Sequence, residues 1–394
     1  MIGPMTHTSR SFTLALSTLL LSIPPAFANE TPSFNAQGNA QWNAQMVRLA
    51  SALREFLPDL YNKKRFNDPE QEARLRKEAE KFTKAAHDLG PMAKSADFDP
   101  SLTILWDSFD REMGRGLTEL RRGNREYARG VFRGATQYCV ACHTRDSSGP
   151  SYTGWDFDLS GLDEFEKAEA LIATRQFDSA MKTIRGVLAQ GDSARTVPIA
   201  WQKAARLGLA VAVRHLDSPE EAGRTVEQVL GTASLPGFVR EDAQAWSRSI
   251  TSWKKEGKRK TTSDQGLLTE MKRLLADAQK QQRYVADHAG DISYLRVTAV
   301  AHRLMREYPK SKLVPESLLA AGMAYQALQD LDLWFLHEAF YENCIRRAPK
   351  TMTARSCFVR LEESMAVGYS GSAGTEIPDE AQAKLNELKK LTGT

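Results

Sequence analysis

Apolar residues in this 394-residue chain recur at steps of three and four, segment after segment, and no stretch alternates apolar with polar residues as a half-buried strand would. Stripes of that period are buried only by packing helix on helix, so the expected fold class is all-α. Hydrophobic residues make up 42% and charged residues 26%, a balance that supports a water-facing surface over an apolar core. The length allows two or three domains.

The N-terminus reads differently from the rest. Arg10 precedes a short apolar run, Phe12 to Ile23, and Ala26-Phe27-Ala28 has the small-x-small form of a signal-peptidase site. Residues 1–28 are therefore expected to be a cleaved secretory signal peptide, and the mature protein to be periplasmic. The run is short for a bilayer span, so no stable membrane insertion is expected. The formal charge is only +4, which does not call for nucleic acid as a partner.

Residues 29–146 read as four helices. Helix A spans about 40–57, with Met46, Leu49, Leu53 and Phe56 on one face. Helix B spans about 69–89, with Asp68 as N-cap, Pro69 at the first position and a stripe of Leu75, Ala79, Phe82, Ala86 and Leu89. Helix C, about 100–122, carries Leu102, Leu105, Phe109, Met113, Leu117 and Leu120 and stops at Gly123. Helix D follows Asn124, with Tyr127, Val131, Ala135, Tyr138 and Cys142 as its expected apolar stripe. Amphipathic helices of this length on short loops predict an antiparallel four-helix bundle. Residues 147–161 are rich in Gly, Ser and Pro and read as a linker. Two further helical regions follow, 162–260 and 261–394. The stretch Arg175-Gln176-Phe177-Asp178-Ser179-Ala180 resembles the turn into the second helix of a tetratricopeptide repeat, and Tyr308-Pro309-Lys310-Ser311 is echoed by Ala348-Pro349-Lys350-Thr351. The resemblance implies a tetratricopeptide-like solenoid, a fold that presents an extended surface to a protein partner.

The sharpest signal is Cys139-Val140-Ala141-Cys142-His143, at the end of helix D. Two thiols three residues apart match the two vinyl groups of one haem, and the adjacent His143 projects an imidazole onto the iron as proximal ligand. One covalent haem c is the expected cofactor, and its attachment outside the cytoplasm agrees with the signal peptide. Other readings are a redox-active cysteine pair, a structural zinc site and a local disulfide. The first needs a thiol at a helix N-terminus, whereas this motif lies at the C-terminal end. Zinc needs a further ligand, and His87 is the nearest other histidine.

A haem motif that closes the fourth of four helices resembles the cytochrome c prime family and its low-spin relatives, over residues 29–146. That resemblance implies a haem held among the bundle helices, with the distal face covered from the first helix. Met46, on the inward face of helix A, is the corresponding candidate distal ligand, and Met113 is a weaker one. A thioether there suits electron transfer. The chain departs from the family after His143: Ser147-Ser148-Gly149-Pro150 breaks the helix, and only Arg145 stands where an aromatic-basic pair is usual. A globular cytochrome c of the other common type would need a downstream Met ligand, and the next, Met181, sits inside a helix.

Arg122, Arg125, Arg129 and Arg133 fall on one side of helix D. Arg129 and Arg133 are candidate haem-propionate contacts, and the face as a whole suits an acidic redox partner. Cys344 and Cys357 flank the Ala348-Pro349 turn and are expected to form a disulfide across a helical hairpin. His215, His288, His302 and His337 are scattered without metal-ligand spacing. No catalytic triad, phosphate loop or dinucleotide fingerprint is present, so no enzyme activity is expected. The expected function is a periplasmic monohaem electron carrier, docked to its redox partner through the repeats. The alternatives are a haem-based gas sensor and a haem-containing assembly scaffold. The family resemblance also allows a homodimer.

Overall fold

A computed structural model describes residues 36–93, 100–143, 159–257, 261–331, 335–372 and 374–393. The expected signal peptide, 1–28, and most of the expected linker lie outside the described residues. The described fold is all-α apart from one two-residue antiparallel ladder, in which Ser370 pairs with Thr375 and Gly371 with Gly374.

The first helix, α1 (Ala36–Leu60), buries Leu49, Leu53, Phe56, Leu57 and Leu60 along one side. A short α2 (Lys63–Asn67) follows, capped by Asn62, whose side chain accepts from the Arg65 backbone N–H at 3.0 Å. Asp68 then caps a 3₁₀ turn, accepting from Glu70 N–H at 3.0 Å, and Pro69 starts that turn because its missing N–H is not needed there. The turn leads into α3 (Glu72–His87). The short α4 (Gly90–Ala93) precedes α5 (Pro100–Arg121) and α6 (Arg125–His143). In space α1 packs on α3, α3 on α5, α5 on α6, and α6 back on α1. Phe56 is the hub, with ring centroids 6.3 Å from Phe66, 6.1 Å from Phe82 and 5.1 Å from Phe132. Such aromatic pairs add about 0.5–1.5 kcal/mol each beyond the area they bury.

The buried face of α6 differs from the expected stripe. Ala128, Phe132, Ala135, Tyr138 and Ala141 face the core, while Tyr127 is 52% exposed and Val131 is half-buried. Phe132 decides the rotation: it is larger than Val131, and Phe56 and Gly116 leave it room, with a Cβ on Gly116 coming 3.0 Å from the Phe132 ring. Turning the helix by one residue also carries Arg129 inward, to 9% exposure, away from the partner-facing arginine side expected of this helix.

The remaining helices are α7 (Glu164–Ala173), α8 (Phe177–Ala189), α9 (Gly191–Thr196), α10 (Pro198–Ala210), α11 (Pro219–Leu230), α12 (Gly237–Glu256), α13 (Asp264–Gln281), α14 (Asp291–Glu307), α15 (Val314–Ala327), α16 (Leu336–Arg347), α17 (Met352–Gly368) and α18 (Asp379–Thr392). A π-helical turn, Val211–His215, extends α10. Sequence neighbours pack on each other from α7 to α8, from α13 through to α18, and from α8 by way of α10 and α11 to α12. Small residues set the spacing. Ala180 of α8 is fully buried, and a Cβ on Gly322 of α15 would stand 2.4 Å from the Tyr341 ring of α16. Side-chain caps start several of these helices: Asp163 with Glu166 in a capping box, then Ser218, Ser263 and Thr351. Cys344 of α16 and Cys357 of α17 are joined, with Cα atoms 6.3 Å apart.

The two halves share one continuous apolar core. Helix α5 rests on α16, and α6 on α7. Polar links cross the expected boundary at residue 260 as well: Arg296 donates to Glu256 at 2.7 Å, and Arg206 reaches both Asp291 and Asp330.

Candidate haem-attachment site

Helix α6 is delivered to its C-terminal end by a tight reversal. Gly123, at φ +86°, occupies the left-handed position after α5, Asn124 N–H reaches back to the Glu119 carbonyl at 3.0 Å, and Gly123 N–H to that of Leu120 at 3.1 Å. Nineteen residues on, α6 ends with Cys139, Cys142 and His143 in its last turn and a half, all half-buried. A cleft opens there between α6, α1 and the α7–α8 turn. Met46, Leu49 and Leu53 line it from α1, Cys139 and His143 from α6, and Arg175 from the turn. The sequence candidates Met46 and His143 therefore face the same space. Met113, by contrast, is fully buried in the core of α5 and does not line the cleft, and Met181 is buried in α8.

The donor chemistry at this cleft suits a c-type haem in part: the Cys139 thiol, the His143 imidazole and the Met46 thioether line it with aliphatic walls, whereas Cys142, in the same last turns of α6, is not among the described residues lining it. The space is tight. The cleft holds about 450 Å³ including its open mouth, but only about 40 Å³ deep enough for a water-sized body, so loading a porphyrin has to draw α1 and the α7–α8 turn apart. A larger cavity, about 890 Å³ including its open mouth, shares Val140 and Ala173 with the cleft and is lined further by Tyr61, Gly130, Arg133, Gly134 and Glu169.

Electrostatics separates the competing uses of the thiols. Burial, and secondarily the neighbouring Cys142, pushes the Cys139 thiol up to about 12. A redox-active pair needs the opposite, a thiol depressed toward neutrality, so this environment favours a protonated sulfur over a nucleophilic thiolate. His87, whose Nδ1 sits 3.2 Å from Asp110 between α3 and α5, does not line the cleft of Cys139 and His143. Among the described residues no three His, Cys, Asp or Glu side chains converge as a metal site.

The two candidate propionate arginines are engaged elsewhere. Arg129 donates to the Leu60 carbonyl at 3.0 Å, closing the end of α1. Arg133 donates to Glu166 at 2.7 Å, lies 3.5 Å from Glu169, and stands 5.2 Å over the Tyr61 ring, tying α6 to α7. Neither lines the cleft that holds His143. The residue that does, Arg175, carried no functional signal in the sequence, because its placement depends on how α7 and α8 meet α6. No described helix is long and apolar enough to cross a membrane. No known protein family, curated protein or solved structure matches the chain.

Proposed function

We propose that the protein is an exported monohaem c-type cytochrome, a one-electron carrier whose haem is attached through Cys139 and Cys142 and ligated by His143. On this reading α1, α3, α5 and α6 are a four-helix bundle of the cytochrome c prime kind, and the helices from α7 onward are a tetratricopeptide-like module that docks the carrier onto a redox partner. The observation that supports the reading is that the three motif residues close α6 and two of them, Cys139 and His143, line a cleft that Met46 lines from α1.

Bound haem would supply a ferric–ferrous couple, with axial ligation and burial setting its potential. The chain's part is to hold it. Cys139 and Cys142 would hold the porphyrin, and His143 and Met46 would offer an imidazole and a thioether to its iron. Leu49, Leu53 and Val140 give the cleft apolar walls.

The test is the protein matured in a host with haem-attachment machinery. A mass exceeding the processed polypeptide by one haem, with a low-spin reduced spectrum, is the expected result. A high-spin, five-coordinate spectrum would favour gas binding, and colourless material at the mass of the polypeptide alone would overturn the proposal.

A further inference from the structure

Two helices of this chain end in the same backbone motif with different residues at its critical position. After α5 the left-handed residue is Gly123, at φ +86°. After α7 the hydrogen bonds are the same: Gln176 N–H reaches the Leu171 carbonyl at 2.8 Å and Arg175 N–H that of Ile172 at 2.9 Å. Here, however, the left-handed residue is Arg175, at φ +57°. Glycine takes that conformation freely, whereas an arginine is strained in it, so the turn as such does not explain the arginine.

The side chain has a defined setting. Arg175 lines the cleft of Met46, Cys139 and His143, whose other walls are Leu49, Leu53, Val140 and Ala173. It is the one permanently charged side chain among the described residues lining that cleft. Its guanidinium stands 5.8 Å over the Phe177 ring, and Phe177 stacks on His215 with centroids 4.4 Å apart. That aromatic pair buttresses the guanidinium from the repeat side. Burial, with Arg214 and Arg175 adding to it, holds His215 down to about 3, so the buttress brings no second positive charge.

Resting on the haem reading above, we propose that Arg175, a residue of the repeat region, is the cation that pairs with a haem propionate and raises the reduction potential. An apolar slot with one planar guanidinium is matched by a carboxylate, and haem brings two. Arg129 and Arg133 do not line this cleft and Arg175 does, which places the role on a residue outside the helices that carry the motif. A fixed positive charge beside the porphyrin favours the ferrous state, which carries one positive charge less. The docking module and the redox centre are thereby joined at one residue, so a partner bound to α7–α8 could shift the potential.

The experiment compares the full-length haem-loaded protein with Arg175→Gln, Arg175→Lys and Arg175→Gly, reading covalent haem content by mass, midpoint potential by spectroelectrochemistry and thermal stability. Arg175→Gln and Arg175→Gly are expected to keep the haem and shift the oxidised-to-reduced ratio at fixed potential about tenfold toward oxidised, about 59 mV for one electron. Arg175→Lys should recover much of that shift, and Arg175→Gly should be at least as stable as the parent because glycine relaxes the turn. Haem-loaded Arg175→Gln with the parent's potential overturns the role of Arg175 and leaves the haem reading standing. A parent protein that carries no haem overturns both.

Discussion

Met46 is half-buried on α1, across the cleft from His143, on a helix whose neighbouring inward positions are the fully committed core residues Leu49, Leu53 and Phe56. A thioether at that position has two uses, packing and ligation, and they are separable by measurement. Met46→Ala is expected to cost on the order of 1–2 kcal/mol in denaturant unfolding, less than a fully buried methionine would. In the haem-loaded protein it is expected to convert a six-coordinate low-spin spectrum to a high-spin one and to lower the potential. A spectrum unchanged by Met46→Ala would remove Met46 from the ligand set while leaving its packing role intact. Periodicity placed Met46 on the inward face of the first helix, and the family resemblance of the haem motif made it a ligand candidate. Arg175 could not be singled out in that way: nothing in Thr174-Arg175-Gln176 says that the middle residue adopts a positive φ.

At the scale of elements, α12 meets the loop before α14 through an asymmetric carboxylate pair. Asp242 accepts from Gln202 at 2.7 Å, and its carboxyl is pushed up to about 7, by burial first and then by Asp287 beside it. Burial acts to raise Asp287 as well. The Arg283 side chain and backbone N–H, each at 2.7 Å, and the Ala289 N–H at 3.0 Å outweigh it and hold that carboxyl well below the usual range. Asp242 therefore takes up a proton on folding, and its contribution to stability is complete below its unfolded value of about 3.9 and is lost as pH rises through about 7. Asp287 contributes in the opposite sense: its share is complete above that unfolded value and is lost as pH falls from there toward its depressed folded value. Asp242→Asn is expected to flatten the fall in Tm between about pH 5 and pH 7, since an amide keeps the Gln202 contact without titrating. Thermal scans across that range check it, and an unchanged slope would rule Asp242 out as the titrating group. Neither carboxylate stood out in the sequence, because they are 45 residues apart and only the packing of α12 against α14 brings them together.

At the scale of the molecule, Arg206 is the main polar tie. Its side chain is 2% exposed, it donates to Asp291 at the start of α14 and, by two nitrogens, to Asp330 after α15, with one of those bonds at 2.9 Å. Removing one partner of such a group strands a buried charge. Arg206→Ala is expected to lower the unfolding free energy by about 3–5 kcal/mol, and adding Asp291→Asn to recover part of that loss. Because the apolar core runs unbroken from α1 to α18, unfolding followed by tryptophan fluorescence and by circular dichroism should remain one coincident transition in both variants. Separate transitions for the two halves would show that the α5–α16 and α6–α7 contacts are too weak to couple them.

What is legible along the chain is what depends on near neighbours. Helical class follows from periodicity, the cap at Asp68 from its side chain and the proline after it, the stop at Gly123 from its lack of a Cβ, and the order of two thiols and an imidazole from the spelling of one turn. What required the folded chain is the rotation of α6 that makes Phe132 core and Val131 rim, the burial of Arg129, the entry of Arg175 into the His143 cleft and the pairing of Arg206 with acids 85 and 124 residues away. The reason is common to all four. Burial and pairing are set by which surfaces meet in three dimensions, and a helix with apolar residues on more than one side takes its facing from the neighbour that fills space best.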